Sequence, residues 1–255
     1  MIDDALGRYA RQVILPEVGT EGQRRLGASR ALVIGAGGLG SAAAIYLAAS
    51  GVGEIVLNDF DRVETANLHR QILHRDSDLG AAKAVAGASA LGDLNPQITA
   101  IALNRHLDGD DLLAQVARAD VVLDCTDNLP SRFEINAASL ATGTPLVSGA
   151  AIRFEGQLAV FLPRVGASPC YRCLYPEEGA PDDSCALVGV FPPVVGMVGC
   201  AQALEALKVL LGRGAEACGR IAVLDGLSLQ WRTLRLPRRP DCPACADRPV
   251  RSETA

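Results

Sequence analysis

Residues 30–40 read RALVIGAGGLG. A short apolar run rich in β-branched residues breaks directly into Gly35-Ala36-Gly37-Gly38-Leu39-Gly40, and an alanine-rich segment that stops at Gly51 follows. Strand, G-x-G-x-x-G and helix in that order are the context a phosphate-binding glycine loop requires. Glycines let the backbone approach phosphate, and the N-terminus of the next helix favours an anion. EIVLND then reads as a second strand ending at Asp59, at the spacing of a ribose-binding acid. Gly35, Gly37, Gly38, Gly40 and Asp59 are therefore nucleotide-binding candidates. The loop suits NAD, a flavin or ATP, and does not choose among them.

Outward from this stretch, strand and helix alternate. A helix is expected over residues 77–94, a strand at ITAIAL, a helix at DDLLAQVARA capped by Asp110, a buried strand at ADVVLDCTDN and a helix at SRFEINAASLA. TPLVSGAAI and GQLAVFLP read as further strands. Short connections between alternating elements signal a doubly wound, Rossmann-like α/β fold with a mostly parallel sheet. Near the end, IAVLDG and LQWRTLRL read as an antiparallel extension, after a helix at AQALEALKVLL with Leu204, Leu207 and Leu211 at helical spacing. One domain over residues 1–255 is expected: an N-terminal arm at 1–28, a nucleotide-binding half at 29–165 and a second half at 166–255. The last ten residues read as a frayed tail.

The 255 residues are 49% hydrophobic and 21% charged with a net charge of −5, which fits a globular chain and gives nucleic-acid binding no support. Neither a leader pattern nor an uninterrupted membrane-length apolar run is evident. A cytoplasmic protein is the expectation, and its thiols would stay reduced.

Beyond the second strand, DFDRVETANLHRQILH crowds Asp59, Asp61, Asn67, Arg70 and Gln71 into one loop, and Lys83 follows. A dinucleotide needs few cations, whereas a triphosphate needs Arg or Lys as well as Mg²⁺. A solvated charged loop is the plain alternative. The fourth strand ends in Asp124-Cys125-Thr126-Asp127-Asn128, where ligands of open α/β sheets bind. An acid there would repel phosphate unless a cation intervened, so Asp127 is a candidate Mg²⁺ ligand. Asp127 or Asn128 would equally serve as a helix cap.

Two Cys-x-x-Cys units, Cys170/Cys173 and Cys242/Cys245, can supply four thiolates to a structural zinc ion. With no open coordination position, such a site would be a staple tying the tail to the middle of the chain. Thioredoxin-like redox chemistry is the competitor, but neither unit sits in a thioredoxin βαβ pattern. Of the other cysteines, Cys125 and Cys200 read as buried packing residues and Cys218 carries no signal. Cys185 follows PDDS in a loop and is either a nucleophile or an incidental thiol.

RYARQ, GAGGLGS, NDFDRVETANLHRQ, DCTDN, PLVSGAAI, GQLAVF, CYRC, GVFPPVVGMVG, QALEALK and CPAC occur in this order. Over the whole chain this resembles the ThiF/MoeB/HesA family of adenylyltransferases, relatives of ubiquitin-activating enzymes. The resemblance implies Mg·ATP-dependent adenylation of the C-terminal Gly-Gly carboxylate of a ubiquitin-like sulfur carrier. A thiocarboxylate for thiamine or molybdopterin synthesis would follow, with sulfur from a separate cysteine desulfurase or rhodanese. It implies a homodimer in which Arg11 serves the neighbouring subunit's ATP. Asp127 would be the Mg²⁺-linked acid, Asp59 the ribose contact, and Asn67, Arg70, Gln71 and Lys83 the phosphate group. The four paired cysteines would hold Zn²⁺, and Cys185 would be a possible linkage to the carrier. His69, His74 and His106 would be ordinary polar residues, since a carboxylate nucleophile needs no general base. CYRCLYPEEGAPDDSC and LDGLSLQWRTLRL resemble thiamine-pathway members, and SGAAIRFEGQ resembles molybdopterin-pathway members. The competing readings are an NAD-dependent oxidoreductase on the same sheet, and a non-catalytic adaptor for a ubiquitin-like protein.

Overall fold

The structure, a computed structural model, describes residues 4–166, 168–175 and 188–247. The expected loop cysteine Cys185, most of its loop and the end of the tail lie outside the described residues.

One sheet of eight strands organises the chain, in the order β3-β2-β1-β4-β5-β6-β7-β8. β1 (Arg30–Ile34), β2 (Glu54–Asn58), β3 (Thr99–Leu103), β4 (Val121–Asp124) and β5 (Leu146–Ile152) run parallel. β6 (Glu155–Phe161), β7 (Arg220–Asp225) and β8 (Gln230–Arg235) continue the same sheet antiparallel. The expected extension is therefore an edge of the nucleotide-binding sheet, and the division at residue 165 falls between two of its strands.

Side chains alternate across the strands and feed two cores. Ala31 and Val33 of β1 pack with α3 (Gly38–Ala49), α5 (Lys83–Leu94) and the long helix α9 (Pro192–Leu210). Leu32 and Ile34 face α6 (Gly109–Ala117) and α7 (Leu129–Thr142). Helices thus cover both faces, as a parallel sheet requires. Order reverses on either side of β1, between β2 and β4, which places the binding crevice beyond the carboxyl ends of these strands.

The N-terminal arm holds α1 (Ala10–Val13) and α2 (Gly19–Ala28). It is pinned by Tyr9, which is buried and whose hydroxyl accepts from Asn95 Nδ2 at 2.8 Å, and by Gln12, which donates to Ser50 O at 3.0 Å.

Four local expectations are corrected. The helix expected over residues 77–94 begins only at Lys83, because Gly80 is left-handed at φ +81° and Ala82 bridges Arg62 as a strand would. The cap of α6 is Asp108, so Asp110 sits inside its first turn. The helix expected at AQALEALKVLL begins earlier, at Pro192; its buried face is Val194, Val195, Val198, Gln202, Ala203, Ala206 and Leu210, and Leu204 is 58% exposed. Cys200 is only half-buried, whereas Cys125 is buried as expected. By length and composition α9 could cross a membrane, yet it carries Glu205 and Lys208 and its apolar face is packed on α3 and the sheet.

Candidate active site

Beyond β1, β2 and β4 opens a cleft of about 500 Å³. It is lined by Gly35, Gly37 and Gly38, by Asp59 and Asp61, by Asn67, Arg70, Gln71 and Lys83, and by Asp127 and Asn128. The structure thus brings together every nucleotide-site residue expected from the sequence except Gly40, which lies just beneath. A hollow of about 660 Å³ along the β7–β8 hairpin is more open and holds none of them.

The glycine loop is shaped by its own backbone. Gly35 is left-handed at φ +96°, and a Cβ there would lie 2.7 Å from the Cys125 carbonyl. A Cβ on Gly40 would lie 1.8 Å from the Gly35 carbonyl. No other residue fits either position. Gly37 precedes the first turn of α3, whose free N–H groups favour an anion.

Asp59 does a task its spacing did not announce. One carboxylate oxygen accepts the Ala36 N–H at 2.8 Å and the other accepts the Asp61 N–H at 2.8 Å. It ties the glycine loop to the loop after β2. His74, buried below, lies 3.3 Å from the Ala36 carbonyl through Nε2, and burial lowers its pKa. The neutral imidazole can donate there.

Cations reach the cleft from two directions. α4 (Thr65–Leu68) carries Asn67, whose Oδ1 accepts from Arg70 Nη2 at 3.0 Å. Lys83 opens α5, where a helix dipole disfavours a cation. Its Nζ, with the side chain 6% exposed, is held 2.9 Å from Asp61. Gln71 is buried with its Oε1 unpartnered. Such an amide costs about 1–3 kcal/mol unless something completes it, so it fits a site built to meet a ligand.

On the far wall, Asn128 caps α7 by accepting the Ser131 N–H at 3.0 Å, which leaves Asp127 exposed to the cleft. Below it lies a buried network that sequence reading missed. Asp124 accepts from the Thr126 N–H at 3.1 Å, the Thr126 hydroxyl at 2.7 Å and the Ser148 hydroxyl at 2.8 Å. Gln202 of α9 donates to the Asp124 carbonyl at 2.8 Å. Arg132 of α7 donates to the Thr126 carbonyl at 2.5 Å. Ile34, Leu107, Leu112 and Ile135 give one end of the cleft an apolar lining, where the Phe60 and His106 rings lie 5.3 Å apart.

Arg11 is exposed and does not line its own chain's cleft. Arg8 beside it donates to the Leu94 carbonyl at 3.1 Å.

Cys170, Cys173, Cys242 and Cys245 meet in a buried cluster, their sulfurs all within 4.8 Å. Cys170 lies 3.9 Å from Cys173 and 3.7 Å from Cys242, and Cys173 lies 3.5 Å from Cys245. A disulfide would need about 2.0 Å. Four sulfurs about 2.3 Å from a central zinc would be about 3.8 Å apart, so the donor set fits a tetrahedral ion. Donation from the neighbouring Cys170 thiol, helped by the Arg239 N–H at 3.5 Å from Cys173 Sγ, lowers the Cys173 pKa.

The ThiF family profile matches residues 9–244. The chain belongs to the ThiF family. Among relatives of this ThiF-family chain, the sulfur carrier protein ThiS adenylyltransferase of Escherichia coli (strain K12) is 47% identical over 245 residues, 96% of this chain and 97% of that protein. The molybdopterin-synthase adenylyltransferase of the same organism is 45% identical over 243 residues, covering 95% and 97%. Adenylyltransferase and sulfurtransferase MOCS3 of Mus musculus is 47% identical over 250 residues, and there the chain spans only 54% of the relative. A crystal structure of E. coli MccB superposes with a TM-score of 0.82 at 20% identity, over 100% of this chain and 76% of that one, and supports the fold alone.

Proposed function

We propose that this ThiF-family chain is an ATP-dependent adenylyltransferase acting on the C-terminal glycine carboxylate of a ubiquitin-like sulfur carrier, ahead of thiocarboxylate formation for thiamine or molybdenum-cofactor synthesis. The observation that carries the reading is the pairing, across one cleft, of the glycine loop and Arg70 with the exposed Asp127 carboxylate. An oxidoreductase has no task for that carboxylate, and an adaptor has none for the cations.

The carrier's carboxylate is already a nucleophile at neutral pH, so the chain's work is positioning and charge stabilisation. The α3 N-terminus and Arg70 bind and orient the phosphates, joined by Asn67, Gln71 and Lys83. The Lys83–Asp61 pair keeps the ammonium pre-oriented. Asp59 braces the glycine loop and offers its remaining lone pairs to the ribose. Asp127, with Asn128 beside it, would hold Mg²⁺, which neutralises charge on the phosphates when bound. The four cysteines would hold a structural Zn²⁺. In a cytoplasmic homodimer, Arg11 would reach the partner's nucleotide. Cys185 could take the carrier covalently, and a separate cysteine desulfurase or rhodanese would supply sulfur.

The two Escherichia coli relatives are too close in identity to choose the pathway. ATP–pyrophosphate exchange with Mg²⁺, run against purified carriers ending in Gly-Gly, chooses it. Exchange with a thiamine-pathway carrier alone assigns that role, and exchange with the molybdopterin-pathway carrier alone assigns the other. Absence of exchange with every carrier, from protein that still binds Mg·ATP, would contradict the reading.

A further inference from the structure

We infer that Arg132 is a positioning residue for the Thr126–Asp127 turn, and that Tyr171 of the cysteine knuckle holds Arg132, so that the cysteine cluster sets the geometry of the Mg·ATP site. This rests on the adenylation reading for the role of Asp127, and on nothing else in it.

One face of α7 carries the connection. Asn128, Arg132, Asn136 and Leu140 recur every fourth residue, and such residues stack along one side of a helix. Asn128 caps the helix next to Asp127. The Arg132 guanidinium, on a residue 8% exposed, donates to the Thr126 carbonyl at 2.5 Å and lies 4.0 Å from the Asp124 carboxylate. The Tyr171 ring lies against it, 5.9 Å from centroid to guanidinium carbon. Asn136 accepts the Tyr171 N–H at 2.8 Å, and Leu140 packs on the four cysteines.

Tyr171 lies between Cys170 and Cys173, so whatever fixes those sulfurs fixes its ring. Its ring is boxed edge-on by Phe133 and Phe161 at 5.8 and 6.2 Å. Arg132 is thus gripped on one side by a knuckle aromatic and on the other by the carbonyl one residue before Asp127. A guanidinium makes both contacts at once; an ammonium is a point charge that cannot.

The test uses the full chain with its bound metal. Magnesium-dependent binding of α,β-methylene-ATP is read by calorimetry, zinc per chain by mass spectrometry, and Tm by scanning calorimetry. Arg132→Lys and Tyr171→Leu are expected to keep one zinc per chain and to raise the Mg²⁺ concentration for half-maximal binding by about tenfold, the usual effect of losing a partner that orients a ligand. Tyr171→Phe keeps the ring face but removes the hydroxyl that hydrogen-bonds the Arg132 guanidinium, and is expected to shift the midpoint less than Tyr171→Leu does. A purely structural role would lower Tm and leave the Mg²⁺ midpoint of Arg132→Lys unmoved, and that result overturns the inference, even if Tyr171→Leu fails to fold. Binding is read without any carrier, so a wild-type protein inactive with every carrier would count against the adenylation reading and leave this test standing.

Discussion

Gln202→Leu is the substitution whose cost the structure defines best. Gln202 is fully buried on α9 and lies against the end of β4 and the first half of β5. Its Nε2 donates to the Asp124 carbonyl at 2.8 Å and to the Val147 carbonyl at 3.3 Å, and its Oε1 accepts from Cys125 Sγ at 3.6 Å. The amide fits against Gly149, where a Cβ would lie 2.4 Å from it. Leucine nearly conserves volume, so cavity terms are small. What is lost is a donor to two buried carbonyls. At about 1–1.5 kcal/mol each, the low end for an acceptor with two lone pairs, the cost is about 2–3 kcal/mol. For a domain of this size that lowers Tm by about 5–10 °C. Scanning calorimetry measures it. Gln202→Glu supplies the control. A carboxyl facing these carbonyls keeps its proton when folded, so its folded pKa lies above its unfolded one. The acid fits at pH 5, and the variant loses stability relative to wild type as pH rises above about 4.3, the unfolded value. A Gln202→Leu protein within about 2 °C of wild type, or a Gln202→Glu protein equally stable against wild type at pH 5 and pH 8, would refute the reasoning.

Asp127→Ala should leave Tm within about 1 °C, because the side chain is exposed, while lowering pyrophosphate exchange by at least about a hundredfold. Cys242→Ser should abolish stoichiometric zinc and lower Tm sharply, as measured by metal analysis and calorimetry, because the four sulfurs share one buried site. His74 has a pKa lowered chiefly by burial. Its neutral form is therefore favoured on folding, and the stability this adds is present above about pH 6.5 and lost as pH falls towards the folded pKa. In denaturant titrations, wild type should lose stability through that window more steeply than His74→Gln.

What was legible in the sequence was whatever short-range pattern encodes. RALVIGAGGLG shows strand, turn and helix because Gly35 and Gly40 are required by contacts within a few residues or across one strand pair. The Cys-x-x-Cys spacing brings the two sulfurs of each pair together for the same reason. The start of α5 was misjudged because an alanine-rich run masks one left-handed Gly80. The start of α9 was missed because Pro192, Pro193, Gly196 and Gly199 mask the first turns of a helix that packs through valines, alanines and a glutamine. Gln202, Ser148 and Arg132 could not be read at all. Gln202 and Ser148 meet Asp124 from 78 and 24 residues away, and Arg132 turns back on Thr126, six residues earlier, only because of how the turn between β4 and α7 closes. A polar residue in an apolar helix was the one available signal for Gln202. Asp59 had the right spacing, but its ties to the Ala36 and Asp61 N–H groups depend on how two loops meet.

The most direct test of the proposed chemistry is intact-mass spectrometry of a Gly-Gly carrier incubated with this protein and Mg·ATP. A carrier gaining one adenylyl group, lost with Asp127→Ala and absent when the carrier's terminal glycine is removed, is the expected result. A carrier that stays unmodified with wild-type protein, across both pathway carriers and with Mg·ATP binding intact, would contradict it.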